Sequence, residues 1–308
     1  MNNPDLSIRL GSCQLKNPIM PASGTFGEES CEICDVTQIG AIVPKSVTFH
    51  PRSGNKPPRV AETVGGMLNS VGIQNKGLQH FIDHTLLFYE KYNVPIMASI
   101  SAYSVEEFKK MVDALHKDRR TDMIELNISC PNLEANGKAF GMSCEATYEI
   151  VREVRGLTDK VIIPKLTPNV EDITAIALSA QEAGADALSL TNTYIGMAID
   201  IHTKKPKLGN VIGGLSGPAI KPISLRMVWQ VAQKVSIPII GIGGIQNWED
   251  AIEYFLAGAS AVQVGTYNFV NPNAMVEMIE GIEKYMVKHS MKSMKDIVGK
   301  VEITNSTL

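Results

Sequence analysis

Short apolar runs alternate with longer amphipathic stretches along almost the whole 308-residue chain. The runs have the length of buried strands and are apolar on both faces, which is typical of a parallel sheet covered by helices. They predict eight strands, at Ile19–Ser23, Ala41–Ser46, Val94–Ile100, Met123–Ser129, Val161–Thr167, Ala187–Asn192, Pro238–Gly243 and Ala261–Thr266. The intervening stretches predict helices at Leu78–Tyr92, Val105–Lys117, Glu145–Leu157, Ile173–Ala183, Ile223–Val235, Trp248–Ala257 and Ala274–His289.

This order of elements predicts an α/β fold. Eight strands separated by helices in about 300 residues favour a closed (β/α)8 barrel, the TIM barrel, over an open doubly wound sheet. No Gly-x-Gly-x-x-Gly follows an early strand, which weakens the dinucleotide-binding alternative. No linker or low-complexity stretch interrupts the pattern, so we expect one barrel domain over residues 1–308.

Three segments lie outside the regular alternation. Ile8–Leu15 predicts a short N-terminal β-hairpin that turns at Gly11-Ser12 and closes the bottom of the barrel. The connections Val47–Asn75 and Thr193–Ala219 are unusually long. Long loops in a compact domain are usually functional, and the loops that follow the strands build the active-site face of a barrel.

Composition excludes several classes of function. The net charge of −3 gives no case for binding nucleic acid. No apolar run approaches the roughly 18 to 20 residues that cross a bilayer, and the N-terminus lacks the pattern of a secretory signal. Five cysteines without disulfide-like spacing favour a reducing, cytoplasmic setting. The pair Cys31 and Cys34 lacks further metal ligands, so packing thiols are favoured over a metal or redox motif.

The segment Glu125–Asn132 carries the most chemistry. An apolar run ends at Cys130, and Pro131 prevents the strand from continuing. The carboxamides of Asn127 and Asn132 flank the thiol and can both donate to and accept from a small planar polar substrate. Cys130 is therefore a candidate for proton transfer. A loop cysteine that only packs is the alternative from this segment alone.

Polar residues recur where the predicted strands end, and in a barrel these ends meet at one mouth. Lys45 and Lys165 each follow an apolar run, so both are expected to be buried, and a buried lysine needs a partner. Two such cations at one mouth indicate an electron-rich or anionic ligand, and internal ion pairs are the alternative. Further polar residues at these ends are Ser23, Ser46, Asn192 and Thr193.

Glycines at the last two strands predict a phosphate site. The seventh strand ends in Gly243-Gly244 and the eighth in Gly265-Thr266. Glycine lets main-chain N–H groups approach an anion, and this part of a barrel commonly binds phosphate. The run Gly213–Gly217 is a further candidate neighbour, and Gly65–Asn75 is rich enough in glycine and asparagine to wrap a small ligand.

Together these segments resemble the class 1 dihydroorotate dehydrogenases, and most closely the catalytic subunit of the NAD-dependent class 1B enzymes. The resemblance covers nearly the whole chain and runs through five ordered stretches: Asn17-Pro-Ile-Met-Pro-Ala-Ser-Gly, Pro58-Arg-Val-Ala-Glu-Thr, Asn69-Ser-Val-Gly-Ile-Gln-Asn, Leu126-Asn-Ile-Ser-Cys-Pro-Asn and Gly213-Gly-Leu-Ser-Gly-Pro-Ala-Ile-Lys-Pro. It implies oxidation of (S)-dihydroorotate to orotate in pyrimidine (UMP) biosynthesis.

The resemblance also implies FMN as the cofactor and assigns residues to it. The phosphate would lie on Gly243, Gly244, Gly265 and Thr266 with Gly217 close by, and Ser23, Ser46, Asn127 and Thr191 would surround the flavin. Lys165 would face the electron-rich N1/O2 side of the ring, and Lys45 would bridge flavin and substrate. Ser99 stands where many class 1B relatives have asparagine, so a flavin contact there has a shorter reach.

For the substrate, the resemblance implies that Cys130 removes the C5 proton as general base while the C6 hydride passes to FMN, with Lys45 as a second catalytic residue. The implied substrate-binding residues are Lys45, Asn69, Ser70, Val71, Gly72, Ile73, Asn127, Asn132, Asn192 and Thr193.

Electrons would leave through a partner. Class 1B catalytic subunits pair with an iron–sulfur subunit that carries FAD and a [2Fe–2S] cluster and meets NAD, and a homodimer of the chain within a heterotetramer is expected. Three alternatives stay open: a fumarate-dependent class 1A enzyme, a related FMN barrel acting on uracil or dihydropyrimidines, and an unrelated phosphate-binding barrel. A non-catalytic flavin-binding subunit is disfavoured by Lys45, Cys130 and the asparagines.

Overall fold

The computed structural model of the chain describes residues 3–129 and 139–303. Its strands are β1 (Ile8–Leu10), β2 (Cys13–Leu15), β3 (Ile19–Pro21), β4 (Val60–Thr63), β5 (Gly66–Asn69), β6 (Met97–Ile100), β7 (Met123–Asn127), β8 (Val161–Leu166), β9 (Leu188–Leu190), β10 (Tyr194–Met197), β11 (Ile199–Asp200), β12 (Lys205–Pro206), β13 (Ile212–Ser216), β14 (Ile239–Ile242) and β15 (Ala261–Val264). Its helices are α1 (Leu78–His80), α2 (Leu86–Glu90), α3 (Val105–Lys117), α4 (Cys144–Arg155), α5 (Ile173–Glu182), α6 (Lys221–Ala232), α7 (Trp248–Leu256) and α8 (Ala274–Lys288).

Seven parallel strands form the central sheet, in the spatial order β3-β15-β14-β9-β8-β7-β6. Chain neighbours are sheet neighbours from β6 to β9 and again from β14 to β15, with helices between them, as in a barrel wound in sequence order. The strands are buried on both faces because side chains fill the interior and helices cover the outside. The predicted α/β barrel fold is confirmed.

The segment Ala41–Ser46, predicted as the second strand, lies between β3 and β6 without being a regular strand. Ile42 and Val47 each form only an isolated parallel bridge towards β6. On the side of β3, the main-chain N–H of Gly40, which precedes the segment, donates to the carbonyl of Ile19 at 2.8 Å. The strand assignment was wrong, and one reason is Pro44, which has no N–H to give to a ladder. The segment still links the two edge strands.

The outer helices follow their sequence signals closely, as α3 illustrates. Ser104 accepts a hydrogen bond from the main-chain N–H of Glu107, a cap worth about 1 kcal/mol. Glutamates occupy the first turn and His116 and Lys117 the last, which complements the helix dipole. Buried residues recur at the spacing of one helix face, at Phe108, Met111, Val112 and Leu115. This face packs on the barrel.

The N-terminal hairpin is confirmed. Strands β1 and β2 pair antiparallel, and Gly11 has the positive φ of 53° that the turn requires. A Cβ at Gly11 would come within 2.9 Å of Asp186 and 3.2 Å of Val161. Both neighbours lie where strands begin, so the hairpin covers the bottom of the barrel, the end opposite the mouth.

The two long connections are not simple loops. They supply β4 and β5, and β10 and β13, which form one antiparallel sheet in the order β10-β13-β5-β4. We call it the mouth sheet. Its central pairing joins Asn69 to Gly214 across the two connections. Glycines in these strands lower their β-propensity, and for that reason the pattern alone predicted loops. Among the described residues, no helix is long and apolar enough to span a bilayer.

Candidate functional site

A cavity of about 500 Å³ lies between the carboxyl ends of the barrel strands and the mouth sheet. Its volume falls in the range of small-molecule and cofactor sites. Its wall brings together most of the residues that the sequence singled out, namely Ser23, Lys45, Ser46, Asn69, Ser70, Val71, Gly72, Ile73, Asn127, Lys165, Thr191, Asn192, Thr193, Gly217, Gly243, Gly244, Gly265 and Thr266.

One predicted site residue that the structure describes, Ser99, is not in this wall. Ser99 is fully buried on β6, and its hydroxyl lies 2.9 Å from that of Ser46. It therefore reaches the cavity through Ser46 rather than directly. Cys130 and Asn132 lie outside the described residues.

The two lysines of the cavity differ in their surroundings. Lys165, in β8, is only 5% exposed, and its Nζ lies 3.7 Å from Glu125 Oε1. Lys45 is exposed at the cavity wall, so the expectation that it is buried was wrong. It follows Pro44 in the irregular closing segment, and its side chain passes close to Gly24, where a Cβ would lie 2.9 Å from the ammonium. The cavity is thus lined by one solvent-exposed ammonium, that of Lys45, and by one buried ammonium, that of Lys165.

Two asparagines orient each other at the ends of β7 and β9. Asn192 donates from Nδ2 to Oδ1 of Asn127 at 3.2 Å and accepts the main-chain N–H of Thr193 at 2.8 Å. With its oxygen engaged in this way, Asn127 has its Nδ2 donors to offer a ligand. Asn169 holds the next stretch, because it donates to the carbonyl of Thr193 at 3.1 Å.

The turn after β14 depends on glycine. Gly243 and Gly244 have φ of 135° and 70°. A Cβ on Gly244 would lie 2.8 Å from that of Lys221 and 2.9 Å from the carbonyl oxygen of Gly217. The turn therefore packs directly onto the start of α6. The Tyr254 hydroxyl donates to the carbonyl of Gly243 at 2.7 Å, and burial raises the pKa of Tyr254, which keeps it a neutral donor.

The end of β15 leaves room for a ligand. A Cβ on Gly265 would meet only the Cβ of Ala22, at 3.7 Å, so protein packing does not demand glycine there. The next residue, Thr266, donates from its hydroxyl to that of Ser216 at 2.8 Å. Main-chain amides close to two glycine turns and to a helix N-terminus suit a phosphate, and the two lysines suit an electron-rich ring. The residues fit a phosphate-bearing planar cofactor.

Sequence reasoning missed several residues of the site. Asn55 lines the cavity and donates to the hydroxyl of Ser70 at 2.9 Å. Glu125 and Gln263 lie behind Lys165, both fully buried. A signal for these two existed, since each is a polar residue inside an otherwise apolar strand.

The paired thiols Cys31 and Cys34 behave as packing residues. Both are free, Cys34 is buried, and burial raises the pKa of the Cys34 thiol to about 11. Within residues 3–129 and 139–303, no group of three or more His, Cys, Asp or Glu side chains is placed to hold a metal ion. The described part of the chain therefore offers no metal centre beside the cavity.

Comparison with known proteins places the chain among named relatives. Residues 5–286 match the family model described as Dihydroorotate dehydrogenase. The chain is 48% identical over 301 residues to the "Dihydroorotate dehydrogenase B (NAD(+)), catalytic subunit" of Bacteroides thetaiotaomicron, covering 97% of this chain and 99% of the relative. Proteins of the same name from Thermoanaerobacter pseudethanolicus (50% over 301 residues; 97% and 99%) and Alkaliphilus oremlandii (50% over 303 residues; 98% and 100%) are equally similar.

Proposed function

The chain belongs to the dihydroorotate dehydrogenase family, and from that premise we propose that it is the FMN-containing catalytic subunit of an NAD-linked enzyme. It oxidises (S)-dihydroorotate to orotate in pyrimidine (UMP) biosynthesis. The observation that carries the proposal is the cavity, which is lined by Lys45 and Lys165 and by the turns at Gly244 and Gly265. A cofactor with a phosphate at one end and an electron-rich ring at the other matches this distribution of charge.

The cofactor would be held at both ends. Gly243, Gly244, Gly265 and Thr266 would hold the phosphate, and Gly217 precedes the helical turn that packs against them. Ser46 and Thr191 would lie near the ring, and both are oriented by neighbours, since the Ser46 hydroxyl lies 3.2 Å from that of Ser23 and the Thr191 hydroxyl lies 3.3 Å from that of Ser224. When bound, FMN supplies the acceptor for the hydride that leaves C6 of dihydroorotate.

The substrate would be held by amides. Asn127 and Asn192 are already locked to each other, and Asn69 on β5 contributes from the mouth sheet, followed by Ser70, Val71, Gly72 and Ile73. Lys45 supplies a cation for the substrate carboxylate at the exposed part of the wall. Asn132, outside the described residues, is assigned to the substrate by its place in the sequence.

The proton and the anionic charge would be handled by separate residues. Cys130 takes the C5 proton as general base, a role that rests on the sequence because the residue lies outside the described range. Lys165 lines the cavity, and its ammonium would stabilise negative charge on a bound flavin ring. Burial excludes water from this lysine, which strengthens its electrostatic effect.

Electrons must then leave the barrel. The described residues hold no metal-ligand cluster, so the [2Fe–2S] cluster and the FAD that meets NAD would belong to a partner subunit, in a heterotetramer around a homodimer of this chain. The name of the relatives, catalytic subunit, supports such a partner. The described cysteines Cys13, Cys31, Cys34 and Cys144 are all free, which supports a reducing cytoplasm as the location.

The first test is spectroscopic. Chain purified with excess FMN should show flavin absorbance with one flavin released per chain, and anaerobic dihydroorotate should bleach it. Dihydrouracil serves as the matched control, since it lacks the carboxylate that Lys45 would meet. A colourless protein would defeat the cofactor assignment, and equal bleaching by both compounds would move the function to a dihydropyrimidine enzyme.

The second test identifies the electron acceptor. The chain alone should reduce artificial acceptors with dihydroorotate but reduce NAD very poorly, and addition of the iron–sulfur FAD subunit should restore NAD reduction. Robust NAD reduction without that subunit would contradict the need for a partner. Efficient fumarate reduction by the lone chain would place it in class 1A instead.

A further inference from the structure

A fully buried carboxylate lies directly behind the cavity. Glu125 is in the middle of β7, 0% exposed, and does not itself line the cavity wall. An ionised carboxylate removed from water is strongly destabilised unless an opposite charge and hydrogen bonds compensate it. Its partners therefore indicate what the residue does.

The hydrogen bonds of Glu125 fall on one oxygen. Its Oε2 accepts from Gln263 Nε2 at 3.0 Å and from the Ser189 hydroxyl at 3.1 Å, and both of these donors are fully buried. Two hydrogen bonds from other barrel strands, β9 and β15, fix the carboxylate in one orientation. Gln263 is itself oriented, because its Oε1 lies 3.5 Å from the ammonium of Lys165.

The second oxygen is turned towards the cavity lysine. Within the part of the chain that the structure describes, Glu125 Oε1 makes no hydrogen bond, and it faces Lys165 Nζ at 3.7 Å. This separation is longer than a direct charge-assisted hydrogen bond of about 2.8 Å. The carboxylate thus compensates the lysine's charge without engaging its N–H donors closely, and those donors stay available to a group in the cavity.

We propose that Glu125, held by Gln263 and Ser189, is a positioning residue that holds the Lys165 ammonium in place and directs it at the flavin ring. The inference rests on the proposed function, since it requires FMN in the cavity. Without the carboxylate, an ammonium that is 5% exposed has no counter-charge among the described residues, and its side chain moves away from this position. That displacement would remove the cation placed to stabilise negative charge on a bound ring.

The test measures how much more tightly the chain binds reduced than oxidised FMN. This affinity ratio follows from the reduction potential of bound FMN, obtained by equilibration with a reference dye in the absence of dihydroorotate. Glu125→Gln should lower the ratio about tenfold, the scale of one lost charge-assisted contact. Lys165→Met should lower it at least as much, and the double variant should lower it no further than Lys165→Met does.

The double variant separates the possible roles. An unchanged or increased ratio in Glu125→Gln would overturn the proposal, and so would a full additional decrease in the Lys165→Met background, because Glu125 would then act independently of the lysine. A purely structural role would lower the melting temperature and leave the ratio unchanged.

If Glu125→Gln does not fold, a milder variant tests the same proposal. Ser189→Ala keeps both charges and removes one of the hydrogen bonds that orient Glu125, and it should lower the ratio roughly threefold. Thr147→Val is the matched control, since it removes an equally buried hydroxyl that donates to the carbonyl of Phe140, and neither residue lines the cavity or contacts Glu125. An unchanged ratio in Ser189→Ala would overturn the proposal in that case.

The outcomes also distinguish this inference from the proposed function. A chain that binds FMN but is not reduced by dihydroorotate would count against the proposed function alone, because the affinity ratio is measured without substrate. A chain that is reduced normally but shows equal ratios in all variants would count against the positioning role alone. A chain that binds no FMN would overturn both.

Discussion

Lys160 and Lys165 lie at opposite ends of one barrel strand and have opposite surroundings. At the bottom of the barrel, Lys160 donates to the carbonyl of Asp118 at 2.6 Å and also to that of Thr121. At the mouth, Lys165 borders the cavity, and its contacts within the described residues are the long ones to Glu125 and Gln263. Burial lowers the pKa of Lys160, which costs the bottom of the barrel some stability.

The difference shows how one fold separates stability from chemistry. The bottom uses its charged groups to hold main chain in place, and Asp122 does the same by accepting the N–H of Ile96 at 2.8 Å. The mouth leaves donors for a ligand. A barrel is expected to behave in this way, with catalysis at the carboxyl ends of its strands and stability at the other end.

The sharpest test of this comparison exchanges each lysine for an isosteric apolar residue. Lys165→Met should slow anaerobic reduction of the flavin by dihydroorotate about 10²–10³-fold, the usual cost of losing one electrostatic stabiliser. Lys160→Met, the matched control, should keep the rate and lose about 1–3 kcal/mol of unfolding free energy, because two carbonyls lose their donor. Stopped-flow absorbance and denaturant unfolding check the two effects. Equal rate losses in both variants would abolish the distinction.

The second largest expected effect is the difference in flavin-reduction rate between variants at two cysteines. Cys130→Ala should leave FMN bound and slow flavin reduction by about 10²-fold or more, the scale of a lost general base. Cys130→Ser should be partly active, with activity that increases at higher pH because serine is a weaker acid than cysteine and loses its proton less readily. Cys13→Ala, at the bottom hairpin, is the control and should keep full activity. Near-normal reduction by Cys130→Ala would show that another group takes the proton.

Much of this architecture could be predicted from the sequence, and the reasons for the failures are physical. Seven barrel strands were recognisable because burial on both faces makes each of them an apolar run. The closing segment around Pro44 has the same composition but no regular ladder. The mouth sheet was missed because its glycines, such as Gly66 and Gly214, are chosen for close approach between strands rather than for β-propensity.

The residues that line the cavity were predicted better than the buried residues behind them. Strand-end positions were sufficient to collect the cavity-lining residues, since parallel strands deliver their last side chains to one mouth. The exposure of Lys45 could not be predicted, because it depends on the space that the mouth sheet leaves above it. Glu125 was missed although its polarity was visible, because its partner Lys165 comes from the next strand and only the strand register brings the two together.

A smaller effect concerns glycine at the cavity. Gly265→Ala should weaken FMN binding roughly tenfold, because the new methyl group occupies space that the protein leaves open and the cofactor would use. Gly156→Ala is the control, since its Cβ would also meet its nearest neighbour at 3.7 Å but far from the cavity. Equilibrium titration of the apo variants with FMN checks both. Equal affinities would remove Gly265 from the cofactor site.

The last comparison concerns the pH dependence of the bottom thiol, which has no effect on catalysis. Burial raises the pKa of Cys13 to about 11, so its thiolate fraction, and with it the rate of alkylation, should increase about tenfold per unit from pH 7 to 10. At pH 8 it should react about 10²-fold more slowly than a free cysteine of ordinary pKa near 8.5. Peptide mass spectrometry after timed iodoacetamide treatment checks this, with the exposed Cys144 as reference. A rate independent of pH would contradict it.

The mouth sheet also bears on how the molecule assembles. The bond from Asn69 to the carbonyl of Gly214 joins residues 145 positions apart, whereas β7 and β8 pair across one helical connection. Contacts between distant segments incur a larger loop-closure entropy and form late in folding. During synthesis, residues 60–69 emerge long before residues 194–216, so the hairpin of β4 and β5 forms without the strand β13 that later pairs with β5. The binding cavity is therefore completed only after most of the barrel exists.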